Sequence, residues 1–174
     1  MSSFKKPIYT NMDSELKNKI NNIKLVATDI DGVWTDGTMY YSLEGDVMKV
    51  FSTYDGMAVQ ILRDLGIPVA ILTGENSPMV RQRANKLHIP YLYQDEQNKI
   101  SRLNEICDKE NISLDEIAYI GDDINDLECL KSVGVTALSG NSPILNQFTP
   151  DYVTQRFGGQ GAFRDFVDWL LENR

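Results

Sequence analysis

The sequence predicts an α/β fold with a central parallel sheet. Three short apolar runs, at 23–29, 67–72 and 117–120, are rich in branched residues, as strands buried on both faces are. Each runs into polar or acidic residues: Asp29, Thr73-Gly74 and Gly121-Asp122-Asp123. Helical periodicity fills the gaps between them, and strands that alternate with helices imply βαβ units.

Taken in order, residues 1–22 are polar, with Lys5, Lys6, Asn11, Asn18, Asn21 and Asn22. A short helix over 13–20 has a thin apolar face. The stretch is therefore expected to be a loosely attached extension ahead of one domain over 23–174. After the first strand, residues 38–52 break the alternation. Two aromatic or β-branched arms flank Glu44-Gly45-Asp46, which predicts a hairpin. Its Met39, Tyr40, Tyr41, Val47, Val50 and Phe51 need cover, from their own domain or from another subunit. Met57, Val59, Ile61, Leu62 and Leu65 predict a helix that stops at Gly66. Val80, Ala84 and Leu87 predict another, with Pro78 in its first turn. Tyr91-Leu92-Tyr93 is a weaker strand, and Ile100, Leu103, Ile106 and Cys107 form a helical stripe. Ser113 caps the turn that carries Glu116. Leu127, Leu130 and Val133 mark a short helix, 133–137 and 152–153 are weaker strands, and Phe163, Phe166, Val167 and Leu170 mark the closing helix.

Composition narrows the function. The 174 residues suit one domain. Twenty-five Asp and Glu against 17 Lys and Arg give a net charge of −8, which argues against nucleic-acid binding. A small anionic substrate stays open, because a divalent cation reverses the local field. No apolar run reaches the roughly 18–20 residues of a membrane span, and residues 1–10 lack the apolar core of a secretory signal. Cys107 and Cys129 are too few for a disulfide framework, so a reducing cytoplasmic compartment is expected. A single histidine, His88, excludes a His-rich zinc site or a His-based triad.

Ligands of a parallel sheet bind beyond the carboxyl ends of its strands. Strand alternation predicts that Asp29 and Asp31 face the same side. Two such carboxylates repel unless they share a cation or a proton. Asp122 from a neighbouring strand completes an oxygen-rich site suited to Mg²⁺, which leaves room for substrate phosphate. One acidic cluster after a strand is commonplace, but several at one sheet edge point to a metal site. Phosphoryl transfer follows: Asp29 attacks phosphorus, Asp31 exchanges protons with the leaving alkoxide and the attacking water, and Thr73 binds a phosphoryl oxygen. The neutralising ammonium is not identified by spacing, and Lys99 by itself reads as a solvated helix residue. In the tail, Gly158, Gly159 and Gly161 lie between Arg156 and Arg164. Residues 156–164 are expected to form a mobile phosphate-facing flap, the alternative being a flexible link into the last helix. Phe166 and Trp169 read as core.

These residues resemble the haloacid dehalogenase (HAD) superfamily. Asp29-Ile-Asp-Gly-Val-Trp-Thr35 resembles its first motif, Ile71-Leu-Thr-Gly74 its second, Lys99 its third and Gly121-Asp-Asp-Ile-Asn-Asp126 its fourth. The resemblance implies a three-layer Rossmann-like core. It makes Lys99 the neutralising ammonium, Asp29, Asp122 and the carbonyl of Asp31 the Mg²⁺ ligands, and Asp123 and Asp126 supports. No separate cap domain fits into 32–55. Asp36-Gly37, Asp55-Gly56, Asn98-Lys99 and the tail 156–164 are similar to the capless 3-deoxy-D-manno-octulosonate 8-phosphate phosphatase family. By that resemblance the 38–52 hairpin builds a homotetramer, and Gly158 and Gly159 support the site. Substrate contacts fall to Thr73, Gly74, Glu75, Arg83, Lys86 and Asp55. A sister group acts on nine-carbon, sialic-acid-type 9-phosphates. Glu75, Lys86 and Trp34 resemble that group, whereas Asp55-Gly56-Met57 resembles the eight-carbon enzymes.

The expected function is thus Mg²⁺-dependent hydrolysis of a 2-keto-3-deoxy sugar acid phosphate, in surface-glycan biosynthesis. A signalling receiver domain is the rival, but receivers carry the phosphoacceptor on their third strand, and here Asp-x-Asp ends the first. An inactive sugar-phosphate-binding relative would lack one of Asp29, Asp31, Lys99 or Asp122, and all four are present.

Overall fold

The computed structural model describes residues 13–174; residues 1–12 of the expected extension lie outside the described residues. Helix α1 (Ser14–Asn22) is capped by Asp13, whose carboxylate accepts the Glu15 N–H. It places Ile20 wholly within the core and packs Leu16 against it, so residues 14–22 dock on the domain rather than trail from it. One inward isoleucine was enough to dock a face that looks thin in sequence.

Strand β1 (Leu25–Thr28) lies at the centre. After it come the hairpin strands β2 (Tyr40–Ser42) and β3 (Gly45–Met48), then α2 (Thr53–Asp64), β4 (Val69–Leu72), α3 (Pro78–Leu87), β5 (Tyr91–Tyr93) and α4 (Lys99–Glu110). The chain closes with β6 (Ile117–Gly121), α5 (Leu127–Leu130), β7 (Val135–Leu138), β8 (Tyr152–Val153) and α6 (Ala162–Glu172). The main sheet runs β5-β4-β1-β6-β7-β8 and all of its pairs are parallel. Val26 pairs with Val69 on one side and with Ala118 on the other.

Alternation along these strands builds three layers. Val26, Ile71, Ala118 and Ile120 face Ile20, Leu62, Val80, Phe163 and Phe166, from α1, α2, α3 and α6. Leu25, Ala27, Leu72 and Tyr119 face Leu103 and Ile106 of α4 and Cys129 and Leu130 of α5. Each large side chain buried this way contributes about 1.5–3 kcal/mol. Among the described residues there is no separate cap.

The hairpin forms where expected, but Ser42 pairs with Gly45, so Leu43-Glu44 is the turn and Gly45 opens the return strand. Among the described residues, its own domain leaves it uncovered. Tyr41, Leu43 and Val47 are 65%, 104% and 60% exposed, and only Phe51 packs partly on the core.

The tail departs from expectation. Gly158 N–H donates to Asn141 Oδ1 (2.9 Å) and Gly159 N–H to the Val33 carbonyl (3.1 Å). A Cβ on Gly158 would lie 2.1 Å from the Gly32 carbonyl oxygen. Residues 156–161 are therefore a wedge packed on the loop after β1, not a mobile phosphate-facing flap. The glycines serve close approach of two backbones rather than motion.

Candidate active site

Three neighbouring strands end at one edge of the sheet and deliver Asp29 after β1, Thr73 after β4 and Asp122 after β6. A cleft of about 630 Å³ opens there, lined by Asp29, Asp31, Thr73, Gly74, Glu75, Asp122 and Asp123 among others.

Asp31 reaches the cleft by a different route from the one strand alternation predicts. β1 ends at Thr28, and the Ile30 carbonyl accepts the N–H groups of Val33, Trp34 and Thr35, which closes a tight loop. Gly32 makes this loop possible with φ +83°, and a Cβ there would lie 1.8 Å from Asp122 Oδ2. Asp31 Oδ1 accepts from Thr35 Oγ1 (3.0 Å) and from Lys49 Nζ (2.6 Å).

The acidic centre is organised by Lys99, at the first position of α4. Its Nζ lies 2.8 Å from Asp29 Oδ2 and 2.7 Å from Asp126 Oδ1, with 2% of the side chain exposed. Burial works against its charge, but the Asp29 and Asp126 carboxylates overcome that and hold the ammonium above the usual lysine range. Lys99 is thus no solvated helix residue. Asp126, fully buried, accepts from Lys99 and Tyr119 Oη on one oxygen (both 2.7 Å) and from the N–H groups of Asp122 (2.8 Å) and Asp123 (3.3 Å) on the other. Burial raises the Tyr119 phenol well above its ordinary value and keeps it a neutral donor. Asp123 Oδ1 accepts the Ile124 N–H.

Oxygens of Asp29, Asp122 and Asp126 lie within 4.8 Å of one another. Four donors use the roughly four lone-pair sites of Asp126, so it orients the centre rather than ligating. Asp29 and Asp122 remain. Burial and the neighbouring Asp126 charge push Asp29 up to about 7 against the pull of Lys99. Burial and then Asp29 push Asp122 up to about 8. One lysine does not balance this cluster, and a hard divalent cation held by Asp29 and Asp122 would supply the missing positive charge. The donor set fits such an ion.

Thr73, 1% exposed, lies beside Gly74 in the cleft wall, and its Oγ1 accepts the Glu75 N–H at 3.4 Å. Glu75 is an exposed part of the same wall. Arg83 and Lys86 lie elsewhere, in a neighbouring depression with Lys49, Phe51, Met79 and Gln82. Arg83 donates to the Ser52 carbonyl (3.2 Å) and lies over the Phe51 ring. Asp55 does not line the cleft. It is fully buried, and its Oδ1 accepts the Arg164 N–H (2.9 Å), which ties α2 to α6. Trp34 is also core: it stacks on Phe163 at 5.0 Å, so it offers no surface that reads substrate length. Gly158 and Gly159 support the site from behind, through the loop after β1. The sequence reading missed Lys49 and Tyr119. No local pattern marks Lys49, since Val47, Met48 and Val50 around it are all exposed while its own side chain turns inward to Asp31.

The profile of haloacid dehalogenase-like hydrolases matches residues 42–134. The 3-deoxy-D-manno-octulosonate 8-phosphate phosphatase of Haemophilus influenzae is 34% identical over 157 residues, which span 90% of this chain and 87% of the relative. The Escherichia coli K12 enzyme of that name is 34% identical over 94% of this chain and 87% of its own. Among solved structures, the Moraxella catarrhalis phosphatase of that name, in complex with a magnesium ion, a phosphate ion and a KDO molecule, superposes with a TM-score of 0.87 at 36% identity, covering 94% of each chain. With the order of Asp29, Thr73, Lys99 and Asp122 around one cleft, these similarities show that the chain belongs to the haloacid dehalogenase-like hydrolases and, among them, to the 3-deoxy-D-manno-octulosonate 8-phosphate phosphatase family, as a phosphoric monoester hydrolase.

Proposed function

We propose that this chain removes the terminal phosphate of 3-deoxy-D-manno-octulosonate 8-phosphate or a close 2-keto-3-deoxy sugar acid, in surface-glycan biosynthesis. The observation that carries the reading is the meeting of Asp29, Asp122 and Lys99 at the floor of a cleft whose wall holds Thr73 and Asp31. Magnesium, held by Asp29 and Asp122 with the Asp31 carbonyl, neutralises phosphoryl charge when bound. The chain's own residues do the rest. The Asp29 carboxylate forms a bond to phosphorus as the ester P–O bond breaks, and Asp31 gives its proton to the departing alkoxide. Water, deprotonated by Asp31, then attacks phosphorus and releases Asp29. Thr73 Oγ1 and Gly74 bind phosphoryl oxygens, and Lys99 balances the charge that builds in the transition state. Asp123 supports the loop that holds Asp122.

Arg83 and Lys86 are read as contacts for the acid end of the substrate, since guanidinium binds carboxylate as a fork. Asp55 is removed from the substrate contacts by its burial. The hairpin is read as the contact of a homotetramer, on the strength of its uncovered Tyr41, Leu43 and Val47. Cys107 and Cys129 are buried and unpaired, which suits a cytoplasmic enzyme. Glu75 in the cleft wall supports a second reading, a nine-carbon substrate. Phosphate release from the eight- and nine-carbon esters, measured side by side as kcat/KM, separates the two. The relatives' names favour the eight-carbon ester, and Glu75→Arg is expected to shift the ratio. An unchanged ratio removes Glu75 as a determinant of length.

A further inference from the structure

The loop after β7, residues 139–144, takes no part in the chemistry above, yet it closes on the Asp122 end of β6. Ser139 N–H donates to the Gly121 carbonyl (3.2 Å), and the buried Ser142 hydroxyl donates to the Asp122 carbonyl (2.5 Å). On the other side, Asp126 Oδ2 accepts the N–H groups of Asp122 (2.8 Å) and Asp123 (3.3 Å). The two peptide groups flanking Asp122 are thus held between a buried carboxylate and this loop. Among the described residues no hydrogen bond holds the Asp122 carboxylate, so its placement depends on those two peptides.

We propose that Ser142 is a positioning residue for the divalent-cation site, fixing the peptide after Asp122 and so the carboxylate that meets Asp29. The inference rests on the reading that Asp29 and Asp122 hold the ion, and deepens it. A serine that merely closes a turn uses its oxygen as an acceptor. Ser142 does that too, for the Ile144 N–H (3.3 Å), but a hydroxyl has one proton to place, and here it goes to Asp122. Without that donor the carbonyl is left unpaired and the peptide is free to turn. Any turn there swings the Cα–Cβ bond that carries the carboxylate. That carboxylate is closely fitted, since a Cβ on Gly32 would lie 1.8 Å from its Oδ2. Ser142 itself touches none of the carboxylates that would hold the ion.

Metal affinity separates this role from plain closure of the loop, and titration calorimetry of the full chain with magnesium chloride measures it. Ser142→Ala is expected to raise the dissociation constant about tenfold or more, as loss of a partner that orients a metal ligand does. Ser142→Thr, which keeps a hydroxyl donor, should stay within about threefold of wild type. Asn141→Ala is the control. It removes the bond from the Gly158 N–H to Asn141 Oδ1 (2.9 Å) and so loosens the same loop without touching Asp122. Its dissociation constant should stay within about twofold of wild type, since no partner of a metal ligand is lost. Should Ser142→Ala fail to fold, Ser142→Cys, close in shape and only a weak donor, carries the same expectation. An unchanged constant in the variant without the hydroxyl, no recovery in Ser142→Thr, or an equal loss in Asn141→Ala would overturn the proposal. A wild-type chain that binds no magnesium would overturn the metal reading, and this inference with it. Wild-type binding that Ser142→Ala leaves intact would overturn this inference alone.

Discussion

Lys99 Nζ sits 2.8 Å from Asp29 Oδ2 although the two residues come from different elements, the start of α4 and the end of β1. With 2% of its side chain exposed, this lysine has little water to share its charge. Lys99→Met should therefore lower kcat by about 100-fold or more, as removal of one charge-stabilising donor does. It should also lower the melting temperature, because Asp126 loses its buried counter-charge. A variant with wild-type kcat would remove Lys99 from the reaction.

Gly32 is where the loop after β1 and the Asp122 carboxylate would collide if the residue carried a side chain. Gly32→Ala places a Cβ 1.8 Å from Asp122 Oδ2 at a backbone φ of +83°, so Asp122 must move. Magnesium affinity, measured by titration calorimetry, should weaken about tenfold or more, by analogy with other disturbances of ligand orientation. Unchanged affinity would mean that Asp122 does not hold the ion.

Asp55 gives the fold a pH signature of its own. Burial pushes its carboxyl up to about 7, against the Arg164 N–H and the charges of Arg83, Arg156 and Arg164. Between its ordinary value and about 7 the folded chain binds more protons than the unfolded chain, so the stability contributed here falls as pH rises across that interval. Asp55→Asn keeps an acceptor for Arg164 but cannot ionise. Denaturant midpoints at pH 5 and pH 8 should fall less for this variant than for wild type. Parallel curves would contradict the assignment.

The hairpin predicts assembly. Val47→Asp puts a charge at a position that is 60% exposed and outside both core clusters, so the folded monomer should be unaffected. Light scattering after size exclusion should show a smaller particle than wild type. Equal masses would exclude this face as the contact.

The order of elements was legible because hydrophobic pattern alone decides which short runs lie between helices. The edge of the sheet was legible because Asp29, Thr73 and Asp122 each follow such a run. What failed did so for reasons of tertiary packing. Asp31 leaves strand geometry at the loop that Gly32 turns. The glycines at 158–161 look mobile in one dimension but are close-packed in three. Asp55 and Trp34 read as substrate markers, yet both are fully buried, a property that no local pattern reports. Lys49 was invisible because its partner lies across the hairpin, where spacing carries no signal.

A crystal structure with magnesium and beryllium trifluoride, a mimic of a phosphoryl group, tests the whole account most directly. It should show beryllium bonded to the Asp29 carboxylate, the metal ion bridging Asp29 and Asp122, and Thr73 and Lys99 on the fluorines. Beryllium bonded to another side chain, or Asp29 and Asp122 with no ion between them, would contradict it.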